Sequence, residues 1–242
     1  MERRIFCFWT GDNPMSPTRA ASLAGLRDSA GCQVVLVTPD TLADFLPAAD
    51  LHPAYPYLNL AHRSDYLRCC FMQRFGGGYA DIKPVIADWR PHFARMEQRP
   101  EIWITGYPEV GPGGIANLYS SARTLGQPGP VVAMAWLRRK WLQAHHRRLV
   151  GCGAYICRPG TPLLNAWRDE VNRRLDRLLP LLQAHPARHP RDVPGMILED
   201  GSLSQYPVPW SYLNGDLFQP LGLKHARHLS RDLPPPDFTD YL

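Results

Sequence analysis

Five residues lying close together in the chain could do chemistry as a group. Asp65 and Arg68 stand three apart in "HRSDYLRCCFMQRF", and Tyr79, Asp81 and Lys83 follow in "FGGGYADIKP". On a helix, a spacing of three gives neighbouring positions on one face, so Asp65 and Arg68 project together. Taken alone, they are an intrahelical ion pair worth about 0.3–0.5 kcal/mol. Gly76 to Gly78 read as the turn that ends this helix and leads Tyr79 and Asp81 onto the next strand, which Pro84 stops or kinks. Asp81 then falls near a strand's carboxyl end, where open α/β sheets bind their ligands.

A second carboxylate two residues after Asp81 would make a D-x-D pair able to hold a divalent cation against a diphosphate. That position is Lys83. A lone carboxylate holds Mg²⁺ or Mn²⁺ weakly unless other oxygens join it, and an adjacent ammonium repels the ion. One reading has Lys83 facing solvent while a metal sits on Asp81 plus oxygens from the C-terminal part, with Glu199, Asp200 and Asn214 as candidates. The other has the lysine ammonium neutralising the anion in place of a metal.

These residues need a scaffold, and the sequence describes one. "RRIFCFWTG" is rich in β-formers and ends at glycine, as a first strand would. "SPTRAASLAGLRDSAG" supplies a helix with Ser16 as N-cap, Pro17 at the first helical position and Gly31 as its stop. "CQVVLVT" is a continuous apolar run suited to a parallel strand buried on both faces. Together they make one βαβ unit with a right-handed crossover. In the helix carrying Asp65 and Arg68, Leu60, Ser64, Leu67, Phe71 and Phe75 form the expected buried stripe. "EIWITGY" and "VGCGAYICRPG" read as strands, "GPGGIAN" as a flexible loop and "VVAMAWLRRKWLQAHHRRL" as a helix. The clearest helix is "TPLLNAWRDEVNRRLDRLLPLLQAHP", with Leu164, Trp167, Val171, Leu175 and Leu178 on one face. The last 45 residues read as irregular. The fold expected is a single α/β domain: 1–90 the ligand-binding half, 91–195 the opposite half, 196–242 a tail or lid.

Composition narrows the class. With 45% apolar and 20% charged residues the chain can bury a core. No apolar run reaches bilayer length, and the apolar start is too short for a secretory signal. The six cysteines include no C-x-x-C pair, so buried free thiols in a cytoplasmic protein are expected. The net charge of +5 is unevenly spread. Between Glu109 and Asp169 there is no acidic residue, whereas Arg138, Arg139, Lys140, Arg147 and Arg148 are all basic. Such a segment attracts phosphates or anionic lipid, or is a solvated face with no specific role. A nucleic-acid binder is not expected, since no motif for one is present. "GPGGIAN" lacks the lysine and hydroxyl residue of a P-loop, and the adjacent His145 and His146 would diverge on a helix.

"FWTGDNPMSPTR", "HRSDYLRCCFMQRFGGGYADIKP" and "LVGCGAYICRPGTP" together resemble bacterial glycosyltransferases of the "sugar-binding region containing DXD motif" type. This group is glycosyltransferase-family-32-like, includes capsular polysaccharide enzymes, and is distantly related to the clostridial glucosylating toxins. The resemblance runs from about residue 4 to residue 165 and departs from the family pattern at Lys83.

It implies a GT-A-like, Rossmann-related fold and retaining transfer of a hexose from a UDP- or GDP-linked sugar to a glycan or lipid-linked acceptor. Trp9 would stack on the base, with Thr10 and Gly11 beside it, although Trp9 also suits a core position. Asp65 would accept hydrogen bonds from sugar hydroxyls, Arg68 would reach the sugar or diphosphate, and Tyr79 would lie near the donor. Asp81 would contact ribose, sugar or the metal, here Mn²⁺ or Mg²⁺ weakened by Lys83. Asn117 and Trp210 are candidates for the acceptor side or a lid, Trp210 equally for a core anchor. The short apolar start and the free cysteines point to the cytoplasm, and the basic segment would suit a lipid-linked acceptor at the inner membrane face, in peripheral contact with anionic lipid. The alternative is an inactive module that only binds a nucleotide-sugar.

Overall fold

The structure is a computed structural model describing residues 1–84 and 87–237. The expected strand over "YADIKPVI" therefore lies partly outside the described residues. In chain order the elements are β1 (Arg4–Phe8), α1 (Pro17–Ser29), β2 (Gln33–Val37), α2 (Pro39–Leu42), α3 (Leu60–Arg74) and β3 (Gly77–Ala80). Then come α4 (Arg90–Gln98), β4 (Ile104–Pro108), α5 (Leu118–Thr124), α6 (Gly129–Ala144) and β5 (Val150–Cys157). The chain closes with α7 (Pro162–Ala184), α8 (Gly215–Lys224) and β6 (Leu229–Ser230).

The strands form one six-stranded sheet in the order β2-β1-β3-β5-β4-β6. β1 pairs in parallel with β2 and β3, and β4 with β6, while β5 runs antiparallel between β3 and β4. The chain is thus a single α/β, Rossmann-related domain, as expected. The β1–α1–β2 unit is present, and Ser16 caps α1 by accepting from the Arg19 amide at 3.3 Å. β2 is parallel, but it is the sheet's edge and most of it is half-exposed. Its unbroken apolar run does not make it a central strand.

α3 packs beneath the sheet and against α7. It is buried continuously from Tyr66 to Met72 and so exceeds the expected stripe, of which Leu67 and Phe71 are buried and Leu60, Ser64 and Phe75 partly so. The five expected core residues of α7 are all buried. Two cores result, one on each face of the sheet. The larger is built from α3, α7 and α8, the smaller from α1 and the residues around Trp89.

Of the three glycines, Gly76 and Gly77 take positive φ values of 64° and 84°, and Gly77 and Gly78 already belong to β3. Gly78 is there for space: a Cβ on it would come within 2.9 Å of Ile5 and 3.1 Å of Trp89. β3 ends at Ala80, so Asp81 stands just beyond its carboxyl end.

The C-terminal section is more ordered than its composition implies. It holds α8, with Pro220 inside it, and β6, which joins the sheet beside β4. α4 and α5 were also not expected. All six cysteines are free, with Cys7, Cys69, Cys70 and Cys157 buried. Among the described residues no helix is long and apolar enough to cross a membrane.

Candidate active site

The five residues singled out above converge beyond the carboxyl end of β3. α3 leads into β3 and runs back along it, so the first half of the helix, with Asp65 and Arg68, lies over that end. Asp81 is held on every side. Lys83 Nζ donates to its Oδ2 at 2.7 Å, Arg68 Nη2 to its Oδ1 at 3.2 Å, and the Tyr79 hydroxyl also donates to Oδ1. The Arg68 guanidinium lies 4.1 Å from the centre of the Tyr79 ring, and its Nη1 donates to the Cys152 carbonyl at 2.8 Å. Asp65 Oδ1 stands 3.4 Å from Arg68 Nη2 and accepts from Asn214 Nδ2 at 3.0 Å.

The backbone sets these positions. The Asp81 amide donates to the Gly153 carbonyl at 2.7 Å and the Lys83 amide to the Asp81 carbonyl at 2.8 Å, while Arg19 of α1 donates to the Ile82 carbonyl. A Cβ on Gly153 would sit 3.3 Å from Asp81 Oδ2 and 3.7 Å from Lys83 Nζ. Glycine at this point of β5 thus spares Asp81 Oδ2 a tight contact, and likewise the Tyr107 hydroxyl, which a Cβ would approach to 3.2 Å.

Lys83 does not face solvent. It is 6% exposed, as is Arg68, so the reading with an outward lysine is overturned. The cause is electrostatic: a buried carboxylate attracts cations far more strongly than one in water. Both oxygens of Asp81 are engaged by donors, and among the described residues no group of three or more His, Cys, Asp or Glu could hold a metal ion. This donor set does not fit a divalent cation. Of the three C-terminal candidates, only Asn214 enters the site. Asp200 is bound to Arg188 and Ser202 in an exposed turn, and Glu199 is exposed.

The two aspartates have opposite electrostatics. Burial would raise the Asp81 pKa, but Arg68 and Lys83 outweigh it and hold it below the ordinary range. Burial dominates at Asp65 and pushes it up to about 6, against the opposing pull of Arg68. Burial likewise opposes the charge on Arg68, yet Tyr79, Asp81 and Asp65 prevail and keep it firmly protonated.

For Asp65, a raised folded pKa means stability that is fully present below the ordinary carboxylate range and lost as pH rises through about 6. Asp65→Asn removes that dependence. Relative to the parent, the variant should gain about 2 kcal/mol between pH 4 and pH 7 in urea unfolding. A constant difference across that range would place the raised pKa elsewhere.

The remaining expected residues fall around this centre. Trp9 follows β1 and is half-buried, with Nε1 donating to the Asn13 carbonyl at 2.8 Å. Thr10 is buried, and its hydroxyl donates to the Leu60 carbonyl at 2.7 Å, tying the β1 loop to the start of α3. Gly11 lies against Leu60 and Asn13, too close for any Cβ. Tyr79 is 2% exposed and stacks on Phe8, so it orients Asp81 from the core. Asn117 caps α5 by accepting from the Ser120 amide, and Trp210 is half-exposed beside Arg191.

Sequence reasoning missed the residues that hang the C-terminal segment on α3. Buried His62, its pKa lowered to about 4 by burial, is neutral. Its Nε2 lies 3.1 Å from the Trp210 carbonyl, an acceptor only, so Nε2 carries the proton and Nδ1 accepts from the Tyr206 hydroxyl at 2.9 Å. This clamp brings Asn214 to Asp65. Tyr155 was missed as well. Its hydroxyl, Arg68 Nε and Asn214 Oδ1 are buried without a hydrogen-bond partner among the described residues. The glycines of "VGCGAY" were the available signal for close approach in β5.

Compared with known proteins, the chain matches no family model and no curated sequence. What defines its class is the α/β, Rossmann-related fold with a buried carboxylate–guanidinium–ammonium cluster beyond the end of a central strand.

Proposed function

We propose that this protein is a glycosyltransferase that uses a nucleotide-activated sugar, in which Lys83 takes the part a divalent cation plays elsewhere. The observation that carries the reading is the Asp81 carboxylate beyond β3, clasped by Arg68, Tyr79 and Lys83. Among the described residues Arg68 Nε, Asn214 Oδ1 and the Tyr155 hydroxyl have no hydrogen-bond partner, on side chains that adjoin Arg68 and Asp65. Buried polar atoms without partners cost about 1–3 kcal/mol each, and a ligand rich in hydroxyls and phosphate oxygens would repay that.

In this reading the bond from the anomeric carbon to the diphosphate oxygen breaks, and the electron pair leaves with the nucleoside diphosphate. Arg68 and Lys83 neutralise the charge that develops on it. An acceptor hydroxyl bonds to the anomeric carbon from the same face, its proton passing to the departing phosphate. Asp65, steadied by Asn214, accepts hydrogen bonds from sugar hydroxyls. Trp9 offers an indole face on the neighbouring β1 loop, and base stacking of that kind is worth about 1–3 kcal/mol. A cleft of about 440 Å³ between α5, α6 and α7, lined in part by Leu118, Arg138, Arg174 and Tyr212, adjoins the segment carrying Asn214 and would receive the acceptor.

The test is release of nucleoside diphosphate from a panel of UDP- and GDP-sugars, with Mn²⁺, Mg²⁺ or EDTA. Turnover of one donor that persists in EDTA is expected. Binding without turnover, even with acceptor extracts, would make the chain a nucleotide-sugar-binding module. Neither binding nor turnover of any donor would remove the proposal.

A further inference from the structure

We propose that the outward face of α6 is a docking surface for an anionic lipid bilayer. The claim rests on the surface of this helix and not on the chemistry proposed for the Asp81 site.

α6 is the least buried long helix of the fold. Of its 16 residues only Leu142 is buried, and Val132, Ala135, Arg139 and Leu142 form the side turned inward. The opposite side is not polar, as a solvated face would be. Met134, Leu137 and Trp141, at i, i+3 and i+7, make a stripe of large apolar side chains that are 63, 54 and 60% exposed. Val131 and Trp136 are also exposed, but they lie outside the two cations that border the stripe. Arg138 flanks the stripe on one side and Lys140 on the other, with Lys140 Nζ 5.8 Å from the centre of the Trp136 ring. Exposed Arg147 and Arg148 follow within a turn of the helix end. An apolar stripe that holds Trp141, bordered by lysine and arginine, suits the boundary between headgroups and acyl chains.

Charge selects the occupant. From Val110 to Arg168 the chain has no acidic residue, and although Glu170 and Asp216 line the cleft beside Met134 and Arg138, the exposed cations Arg138, Lys140, Arg147 and Arg148 give the outer side a charge that an anionic lipid surface complements. A second copy of the chain is disfavoured, because pairing this face with itself sets Arg138, Lys140 and their neighbours against their own counterparts. A nucleic acid is disfavoured because the centre of the face is aliphatic, with Met134 and Leu137 where a backbone groove would need cations.

The full chain should be sedimented with vesicles of phosphatidylcholine alone and with added phosphatidylglycerol, at about 0.1 M and about 0.5 M salt, since surface charges are screened within ~10 Å at the lower value. Expected is retention on the anionic vesicles only, at least tenfold weaker at high salt. Leu137→Glu with Trp141→Glu should lower retention at least tenfold. Lys140→Glu with Arg147→Glu should flatten the salt dependence. Ile197→Glu, at an exposed apolar position outside this face, should change neither. Unaltered melting temperatures would show that the variants fold. The proposal falls if anionic vesicles do not retain the protein at low salt, if the apolar pair of substitutions leaves retention intact, or if the chain is a dimer that those substitutions dissociate. Donor turnover is read without vesicles, so failure of the lipid surface and failure of the transferase reading are separate results.

Discussion

Asp81→Ala should destabilise the protein by about 3–5 kcal/mol, the usual cost of removing one partner from a buried ion pair. Asp81 pairs with both Arg68 and Lys83. Removing it takes from an ammonium and a guanidinium, each nearly sealed from water, the carboxylate they share, and leaves Arg68 the longer contact with Asp65 at 3.4 Å. For a chain of this length the melting temperature should fall by roughly 10 °C. Asp81→Ala with Lys83→Met should recover part of the loss, because the second change removes one of the two like charges that Asp81 separates and the two sites are in contact.

The pH dependence has a definite sign. A carboxylate with a lowered folded pKa contributes stability present above the ordinary range and lost as pH falls through the folded value. The parent should therefore converge on Asp81→Ala in acid. Thermal and urea melts from pH 3 to pH 8 check both points. A shift below about 2 °C at pH 7, under 1 kcal/mol for a chain of this size, would mean the cluster is not held together by this charge.

The second large effect concerns the cation. In EDTA, Lys83→Asp should lower donor hydrolysis about 10²–10³-fold, the usual loss when one charge-stabilising group is removed. Millimolar Mn²⁺ should then restore a good part of it, since the substitution exchanges an ammonium for a second carboxylate two residues from Asp81. Lys83→Met should lose as much and regain nothing. The parent should respond little to either addition. If parent and Lys83→Asp require Mn²⁺ equally, Lys83 is not the charge acting on the diphosphate, and the close Lys83–Asp81 contact is structural only.

Local rules carried much of the framework. Ser16 and Pro17 announced α1 because an N-cap oxygen and a fixed proline φ act within one turn. The stripe of α7 was legible because its apolar spacing repeats over about four turns against one core. α8 was not, since Pro220 and Gly222 interrupt a segment that only burial against α7 and β5 makes helical. β2 looked central because its side chains are apolar, yet strand order places it at the edge, and strand order is not a local property.

For the site, the sequence alone determined which groups are present and that Asp65 and Arg68 share a helix face. It also put Asp81 near a strand's carboxyl end, because helical spacing and glycine stops act over a few residues. Tertiary structure decided where the charges go. Lys83 turns inward because the Asp81 carboxylate, already shielded from water, draws its ammonium in at 2.7 Å. Asn214 reaches Asp65 across 149 residues because the neutral His62–Tyr206 clamp docks the C-terminal segment on α3. Those contacts depend on burial and on through-space Coulomb attraction, which residue order does not display until the chain has folded.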